Sequence, residues 1–473
     1  MPKVKLPIYE GMNKAVDEMG LQQFGADMIN VYVDDLMNIN RWPGYEEFAD
    51  TGEAASVDGL HWWENQSRVI AVCNQKTFQI TDLNGTIAEI TGDTFETGSV
   101  RVKFADFGSA LYAANGANIN GISTSAVTVM ADADAPTEVT HVAILDRYLI
   151  GNEVSSGNFH WADVNAPTNW GGNYSEAEAN PDRLVALDAQ NLNLFLMGKR
   201  TLEKWYDDGS TPFIRLYQGL VQSGTVANYS FTWCNAVQSF CWLDENRRVV
   251  MENSGIAVPI SLSINKYIQE FTTVSDAIGD YVEIVGRPFY VLTFPSEEKV
   301  LVYDFISKNW YRLGSWNAVT ATYDLYRGNC YCLAPAWNFT LMGDRANGKI
   351  YKLGSTIYDE NGSILRSLIQ TAHYNHGSGS NRKYCNGIYL RLKRTSSVSE
   401  DGTPDLMLQY RDDGNTTWNT ERSLTMHAIG NTEFLAYTTR LGSYFSRQWR
   451  FYMTDSYPLC IASVEEDVDI EVD

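Results

Sequence analysis

The sequence lacks the residue patterns that mark most enzymes. G-x-S-x-G, a glycine-rich phosphate loop, H-E-x-x-H and G-x-G-x-x-G are all absent from its 473 residues. Two weak metal candidates remain: His373 and His376 have the spacing of helical metal ligands, and Asp132 and Asp134 resemble a calcium-binding pair. The histidines lie at a Gly/Ser segment and the aspartates in a turn, so we expect solvated loops, with no metal and no cofactor. The sequence therefore favours a protein that is not an enzyme.

Closely spaced cysteines and long hydrophobic runs are also missing. The seven cysteines are odd in number, scattered and without a C-x-x-C pair, which favours reduced thiols over a disulfide framework. The first residues show no apolar stretch of signal-peptide length, and no run approaches the ~18 apolar residues of a membrane-spanning helix. We therefore expect a protein that is made in a cytoplasm and is not inserted into a membrane.

Positive charge is scarce relative to negative charge. The chain carries 58 acidic and 36 basic side chains, a formal net charge of −22. Residues 1–370 hold 26 basic and 44 acidic side chains, net −18, and residues 371–473 hold 10 and 14, net −4. Tight wrapping of nucleic acid needs Lys and Arg to displace counterions, so this balance argues against it. The same balance suits a surface that nucleic acid passes without adhering.

Aromatic residues and glycines are abundant and favour short strands joined by tight turns. Short apolar runs recur at a mean spacing of about 44 residues, the range of four-stranded propeller blades. Their starts fall near Gly59, Val100, His141, Arg183, Asn235, Tyr281 and Thr322. In the clearest unit, Trp310 opens the last strand and is expected to lie between blades, with Asp304 capping the preceding turn. This pattern predicts an all-β fold with a six- or seven-bladed β-propeller; a stack of unrelated β-domains is the alternative.

Three regions follow from this pattern. Residues 1–58 lack steady periodicity and are expected to form an N-terminal strap, and residues 59–370 the propeller. Longer alternating strands over residues 371–473 predict a C-terminal β-sandwich. The Gly/Ser-rich segment His376–Asn381 is interpreted as a flexible joint before it.

Near the C-terminus, apolar and acidic residues alternate. Val464, Val468, Ile470 and Val472 fall on one face of the predicted strand, and Asp467, Asp469, Glu471 and Asp473 on the other. The acidic face is either a solvated surface or edge protected by charge, or a docking surface for a basic partner.

The most enzyme-like fragment is Arg411–Trp418, in which Asp413, Thr417 and Trp418 match the Asp-box of sialidase-type propellers. That box stabilises a hairpin turn away from the catalytic centre. A carbohydrate-binding or sialidase-like β-propeller is therefore the alternative function. A generic interaction propeller outside any virus is a third hypothesis.

An ordered set of motifs resembles the tail hub proteins of short-tailed bacteriophages, also called packaged-DNA stabilisation proteins, tail accessory factors or nozzle proteins. The resemblance covers roughly residues 180–470, with a weaker match at Arg41–Gly44. The matching segments are Met197–Tyr206, Gly209, Pro212–Phe213, Gly219–Gly224, Phe240–Leu243, Arg248–Val250, Pro259–Ser261, Asp276–Ala277, Phe289–Pro295, Val302–Asp304, Trp310, Gly343–Asp344, Gly348–Tyr351, Leu408–Gly414, Arg440–Gly442 and Arg447–Asp455. Arg411 departs from the usual Ser, and residues 95–180 match no motif of the family.

The resemblance implies a structural virion protein of the tail, assembled in the host cytoplasm as a ring of about six copies. Such a ring connects the portal-adaptor protein to distal tail parts, namely a tail needle or plug and fibre or spike proteins. It retains the packaged DNA and forms the conduit for genome ejection, so packaged dsDNA passes through without sequence-specific binding. No catalytic residues come with the resemblance. As acidic residues lining the DNA lumen, we nominate the turn pairs Asp207 and Asp208, and Glu297 and Glu298.

Overall fold

The computed structural model describes residues 3–9, 11–14, 26–98, 101–177, 182–209, 213–393, 404–426 and 433–471. Nearly all regular structure in these ranges is β-strand. The helical elements within them are the α-helix Asn265–Gln269 and 3-10 turns at Glu64–Gln66, Tyr217–Gly219, Asn228–Ser230, Asn235–Val237 and Pro335–Trp337. None of the helices within them is long and apolar enough to cross a membrane.

The predicted propeller is confirmed, and the described part of the chain contains seven four-stranded blades. Each blade is an antiparallel sheet whose first strand contacts the corresponding region of its neighbours around a closed ring. Blade 1 is Val57–Trp63, Arg68–Cys73, Lys76–Ile80 and Ile87–Ile90; blade 2 is Lys103–Asp106, Leu111–Ala114, Asn120–Ile122 and Val127–Val129; blade 3 is Val142–Leu145, Tyr148–Asn152, Asn158–Trp161 and Tyr174–Glu176; blade 4 is Leu184–Gln190, Asn193–Gly198, Leu202–Tyr206 and Ile214–Arg215; blade 5 is Thr232–Cys234, Ser239–Leu243, Val249–Asn253 and Ile256–Pro259; blade 6 is Ile278–Ile284, Arg287–Phe294, Lys299–Asp304 and Trp310–Leu313; and blade 7 is Gly328–Ala334, Phe339–Asp344, Lys349–Gly354 and Gly44–Asp50.

Antiparallel pairing gives the propeller two distinct faces. Turns that join the first to the second strand and the third to the fourth lie on one face, which we call the upper face. Turns that join the second to the third strand, and the connections between blades, lie on the opposite or lower face. These definitions place every surface residue discussed below.

Blade 6 shows why the turn chemistry was readable. Trp310 is buried and its indole N–H donates to Ile260 O at 2.8 Å, so the ring lies between blades 5 and 6 as predicted. Asp304 accepts from Ile306 N at 2.9 Å and from Ser307 Oγ at 2.8 Å, which caps the turn. The two-residue hairpin expected at Asn84-Gly85 is wrong. A longer loop runs from Ile80 to Ile87, because Asp82 accepts from the backbone N–H groups of Asn84 and Thr86.

Blade 7 is closed by the N-terminal region. Its fourth strand is Gly44–Asp50, which pairs antiparallel with Lys349–Gly354. The strand that precedes the first blade in sequence is therefore the outermost strand of the last blade. This pairing fixes the ends of the ring together.

One continuous nine-stranded sheet joins the propeller to the C-terminal region. It begins with the four strands of blade 6 and continues through Asp27–Ile29, Ser367–Tyr374, Arg447–Met453, Asp405–Asp412 and Arg422–Thr425. Asp27–Ile29 pairs with blade 6 on one side and with Ser367–Tyr374 on the other. We call this the bridging sheet; Ser367–Tyr374 runs across the predicted boundary at 370/371.

A second, seven-stranded sheet faces the outer part of the bridging sheet. It contains Val31–Val33, Ile39–Arg41, Cys460–Ile470, Lys383–Lys393 and Glu433–Thr439, with Val4–Lys5 and Ser443–Tyr444 paired at its sides. Side chains from both sheets share one hydrophobic cluster, in which Leu390 and Phe451 are fully buried. The division into strap, propeller and independent sandwich stays a prediction.

The Gly/Ser segment interpreted as an interdomain joint connects these two sheets instead. It follows Ser367–Tyr374 of the bridging sheet and leads into Lys383–Lys393 of the seven-stranded sheet. Lys383, which is fully buried, donates from Nζ to Ser378 O and to Phe445 O. The segment therefore lies within the C-terminal region and is held in place by a buried cation.

All seven cysteines are free and buried, in agreement with the expected reduced thiols. Burial raises the pKa of Cys73 and of Cys460 to about 11.

Candidate functional site

Charged side chains of opposite sign meet at the propeller axis. Arg101 precedes the first strand of blade 2, and its guanidinium forms a buried ion pair with Asp280 in the first strand of blade 6. The same guanidinium donates from Nη1 to Asn329 O of blade 7 at 2.7 Å. One side chain thus links three blades across the centre of the ring.

The neighbouring axial residues are perturbed by the same environment. Burial lowers the pKa of Lys103 to about 8, with Arg101 repelling its charge, and burial raises the pKa of Asp188 to about 6 against the attraction of Lys103. Burial also lowers the pKa of His141 well below its usual value, and its ring stacks on Tyr229 at 5.3 Å. We call these residues the axial cluster. It spans blades 2 to 7 and fills the centre of the propeller with protein side chains.

The cluster has a direct structural consequence. The Arg101–Asp280 pair crosses the axis, so a nucleic acid duplex has no path through the centre of a single propeller. Any path for DNA must lie beside the propeller.

A second set of residues fixes the strap between the propeller and the C-terminal sheets. Arg41 is buried, donates from Nη1 to Tyr457 O at 2.8 Å and also donates to Leu365 O. Trp42 packs against Phe289 of blade 6 with ring centroids 4.9 Å apart. A Cβ at Gly44 would lie 2.2 Å from Asp359 O, so only glycine fits there. These contacts explain the Arg41–Gly44 motif: each residue secures the chain where it enters blade 7.

The acidic pairs proposed for the lumen are not brought together. Asp207 and Asp208 follow the third strand of blade 4 on the upper face, whereas Glu297 and Glu298 follow the second strand of blade 6 on the lower face. Asp207 accepts from Gly209 N at 2.8 Å, and Glu297 accepts from Thr272 N and Thr273 N at 2.8 and 2.7 Å. One member of each pair therefore orders its own loop, and the two pairs cannot form one acidic patch. Their role at a lumen stays a prediction.

The acidic residues proposed for docking lie on a strand that is interior to its sheet. Cys460–Ile470 pairs with Lys383–Lys393 on one side and with Ile39–Arg41 and Val4–Lys5 on the other. Asp467 and Asp469 are half-buried on the outward face, Glu471 is exposed, and Asp473 lies outside the described residues. Asp469 accepts from Asn386 Nδ2 at 3.0 Å. Docking by this face stays a prediction.

The same strand contains a buried acid that the alternation pattern concealed. Glu466 points inward between Val464 and Val468 and is fully buried. It accepts from Tyr444 OH at 2.6 Å, and His376 Nε2 lies 3.1 Å from its other oxygen. Burial acts to raise the pKa of Glu466, but these hydrogen bonds outweigh it and lower the pKa.

The Asp-box-like fragment is a turn held by its aspartates. Asp413 accepts from Phe445 N and Ser446 N, each at 2.8 Å, while Asp412 pairs with the buried Arg447 at 2.6 Å. Trp418 is covered by Arg450 at 3.8 Å. This is the hairpin-stabilising arrangement expected of such a box.

The weak metal candidates are occupied by other contacts. His376 bonds Tyr444 and Glu466, and Asp132 accepts from Asp134 N at 2.9 Å and from Trp170 N at 3.1 Å. Within the described ranges, no group of three or more His, Cys, Asp or Glu side chains could hold a metal ion.

Sequence reasoning missed Arg101, Asp280, His376 and Glu466 as structural centres. Arg101 and Asp280 are separated by 179 positions, and nothing local marks them as partners. For Glu466 a signal was present: an acid at a position whose i±2 neighbours are valines is expected to face inward and need a partner.

Comparisons with known proteins agree with this fold. A protein-family model described as "Bacteriophage P22 Gp10, beta-propeller" matches residues 4–358. No curated protein matched the chain.

Among solved structures, the chain is similar to a chain of the "Crystal Structure of Mitotic Checkpoint Complex", at 13% identity, a TM-score of 0.41 and coverage of 65% of this chain and 94% of that one. It is also similar to the extracellular domain of the putative one component system BT4673 from B. thetaiotaomicron, at 10% identity, a TM-score of 0.44 and coverage of 91% and 62%. Neither carries a functional argument. The family match spans well over half of the chain, and the chain therefore belongs to the bacteriophage P22 Gp10 β-propeller family.

Proposed function

We propose that the chain is a non-enzymatic structural subunit of a short-tailed phage virion, present in the tail as a ring of about six copies that forms the tail hub or nozzle. The ring connects the portal-adaptor protein to the tail needle or plug and to fibre or spike proteins. It retains packaged DNA, and the genome leaves through its central opening. Assembly takes place in the host cytoplasm.

The observation that carries this proposal is the closed axis of the propeller. Because Arg101 and Asp280 pair across the centre, a conduit needs several copies arranged around a common opening. The formal net charge of −22 supports a surface that duplex DNA passes without adhering.

Rigidity is the second support. The bridging sheet runs from the innermost strand of blade 6 to the edge strand Arg422–Thr425 without interruption. A closed propeller without free edges at blades 6 and 7 suits a fixed position in a ring with head-to-tail contacts.

Negative-stain electron microscopy of the purified protein, alone and with its portal-adaptor ring, tests the proposal. We expect annular particles with an axial opening, and native mass spectrometry should count about six copies. Persistent monomers in the presence of the adaptor would contradict it. A fluorogenic sialoside assay and a glycan array on the same sample test the alternative, for which turnover or selective binding would be required.

A further inference from the structure

Three turns on the upper face are tied together by one guanidinium. Arg287 donates from Nη1 to Asp35 Oδ1 at 2.5 Å and from Nη2 to Val33 O at 2.7 Å. It also donates to Asp304 Oδ2, at 2.9 Å from Nε and 2.6 Å from Nη2. The hairpin tip of the strap and two turns of blade 6 therefore meet at this residue.

Each of these turns exposes large apolar side chains. Leu36 and Met37 on the hairpin tip are 78% and 53% exposed, Val285 is 76% exposed and Ile306 is 46% exposed. We call these four side chains the apolar rim. A contiguous apolar group on a strongly charged protein is typical of an interaction surface.

Val285 is a costly choice for its position. Val285 and Gly286 have φ of 53° and 72° and form the two-residue turn between Ile284 and Arg287. A β-branched residue is strained in the left-handed region, where Asn is strongly preferred before Gly. Since the side chain contributes little burial, its retention points to a contact outside the chain.

The apolar rim borders a groove of about 380 Å³. Its lining includes Tyr32, Asp34, Pro43, Val285, Tyr358 and Leu459. Amide donors, Asn38 above all, outweigh burial and lower the pKa of Asp34, so this carboxylate is ionised. Within the described ranges no salt bridge reaches Asp34. The groove therefore combines apolar walls with an uncompensated negative charge and fits an aromatic or aliphatic side chain beside a cation.

Such a side chain lies on the opposite face of the same molecule. Tyr217 follows the fourth strand of blade 4 towards the lower face and is 77% exposed. The guanidinium of Arg215 stacks over its ring at 4.5 Å. Tyrosine and arginine are the side chains most enriched at interface centres. Because the Tyr217 knob and the groove lie on different blades and opposite faces, one copy can offer the knob while receiving the next at its groove.

We propose that the groove between the strap hairpin and blade 6 receives the Tyr217–Arg215 knob of a second copy of this chain. This inference rests on the proposed ring and names the contact that would close it. Tyr217 fills the space between Val285 and Leu459, and Arg215 meets the carboxylate of Asp34.

Two substitutions test the contact from its two sides. Val285→Asn removes the apolar contact but gives the turn its preferred Asn-Gly sequence, so its melting temperature should equal or exceed that of the wild type. Tyr217→Ser removes the knob. Val319→Asn is the matched control, because Val319 is 95% exposed in the connection between blades 6 and 7. Light scattering and negative-stain microscopy are performed where the wild type is annular.

We expect V285N and Y217S each to weaken association about tenfold or more and to leave monomers, and V319N to form wild-type rings. An equimolar mixture of V285N and Y217S should form dimers, because the intact knob of one variant meets the intact groove of the other. A mixture that stays monomeric, or a V285N protein that forms normal rings, overturns this inference alone. A wild-type chain that never associates overturns the proposed ring as well.

Discussion

Arg101 and Asp280 form a buried ion pair across the propeller axis, joining the entry of blade 2 to the innermost strand of blade 6. Their side chains are 7% and 10% exposed, so neither charge has bulk water as an alternative partner. Removing one partner leaves the other charged and buried.

Arg101→Leu is therefore expected to lower the free energy of unfolding by about 3–5 kcal/mol. Guanidinium denaturation followed by tryptophan fluorescence measures this change. Lys349→Ala is the control, because the Lys349–Glu47 pair is 31% and 39% exposed and such surface pairs contribute about 0–1 kcal/mol. Equal losses in the two variants would contradict a special role of the axial pair.

Glu466 makes the C-terminal sheets sensitive to acid. Its pKa is lowered in the folded state, so its contribution to stability is full above the ordinary carboxyl pKa of about 4.5 and disappears as the pH falls through the lowered value. We expect Glu466→Gln to reduce stability by about 2–4 kcal/mol at pH 7, with the difference from wild type shrinking below pH 4.5. Urea denaturation at several pH values measures it.

The control for this prediction is Asp467→Asn on the outward face of the same strand. It should leave the acid dependence of stability unchanged. An E466Q protein that loses the same stability at pH 4 as at pH 7 would show that the loss is steric.

Glu360 is expected to act in the opposite sense. Burial raises its pKa to about 7, against the hydrogen bonds of Ser315 and Tyr45, so stability is greatest below pH 4.5 and falls as the pH rises through 7. Glu360→Gln should therefore stabilise the protein by about 2–3 kcal/mol at pH 8 and have little effect near pH 4.5. Thermal unfolding at the two pH values measures the difference, with the exposed Glu421→Gln as control. A pH-independent gain would argue against titration of Glu360.

Charge reversal separates the two lumen candidates. Asp208→Lys and Glu298→Lys change the exposed member of each pair, and because the pairs lie on opposite faces, we expect only one variant to slow genome ejection. Dye binding to DNA released from triggered virions measures the rate, with D208N and E298Q as charge-removal controls. Normal ejection by both reversed variants would remove both pairs from the lumen.

The propeller was predictable because its signals are local. The seven predicted starts fall within about six residues of the observed first strands, since turn residues and alternating apolar runs recur at each blade. Trp310 and Asp304 were placed correctly because a capped turn and an interblade tryptophan are decided within ten residues.

What the sequence did not reveal depends on long-range pairing. The Gly/Ser segment at His376 has the composition of a flexible joint, but Glu466 and Tyr444, from distant strands, hold that histidine inside the C-terminal region. Likewise, nothing near Asp27–Ile29 indicates that it bridges blade 6 to Ser367–Tyr374. The strap groove formed at this junction could only be found in three dimensions.

The pairing of Gly44–Asp50 with Lys349–Gly354 has a consequence for biosynthesis. The ribosome releases the outer strand of blade 7 some three hundred residues before its partner exists, so the ring cannot close during most of translation. Its hydrogen-bonding edge must wait unpaired while six blades emerge, and such long-range β-pairing is slow and prone to aggregation. Closure is thus a late, post-translational event, and the concentration of open chains in the cell sets how much protein is lost to mispairing.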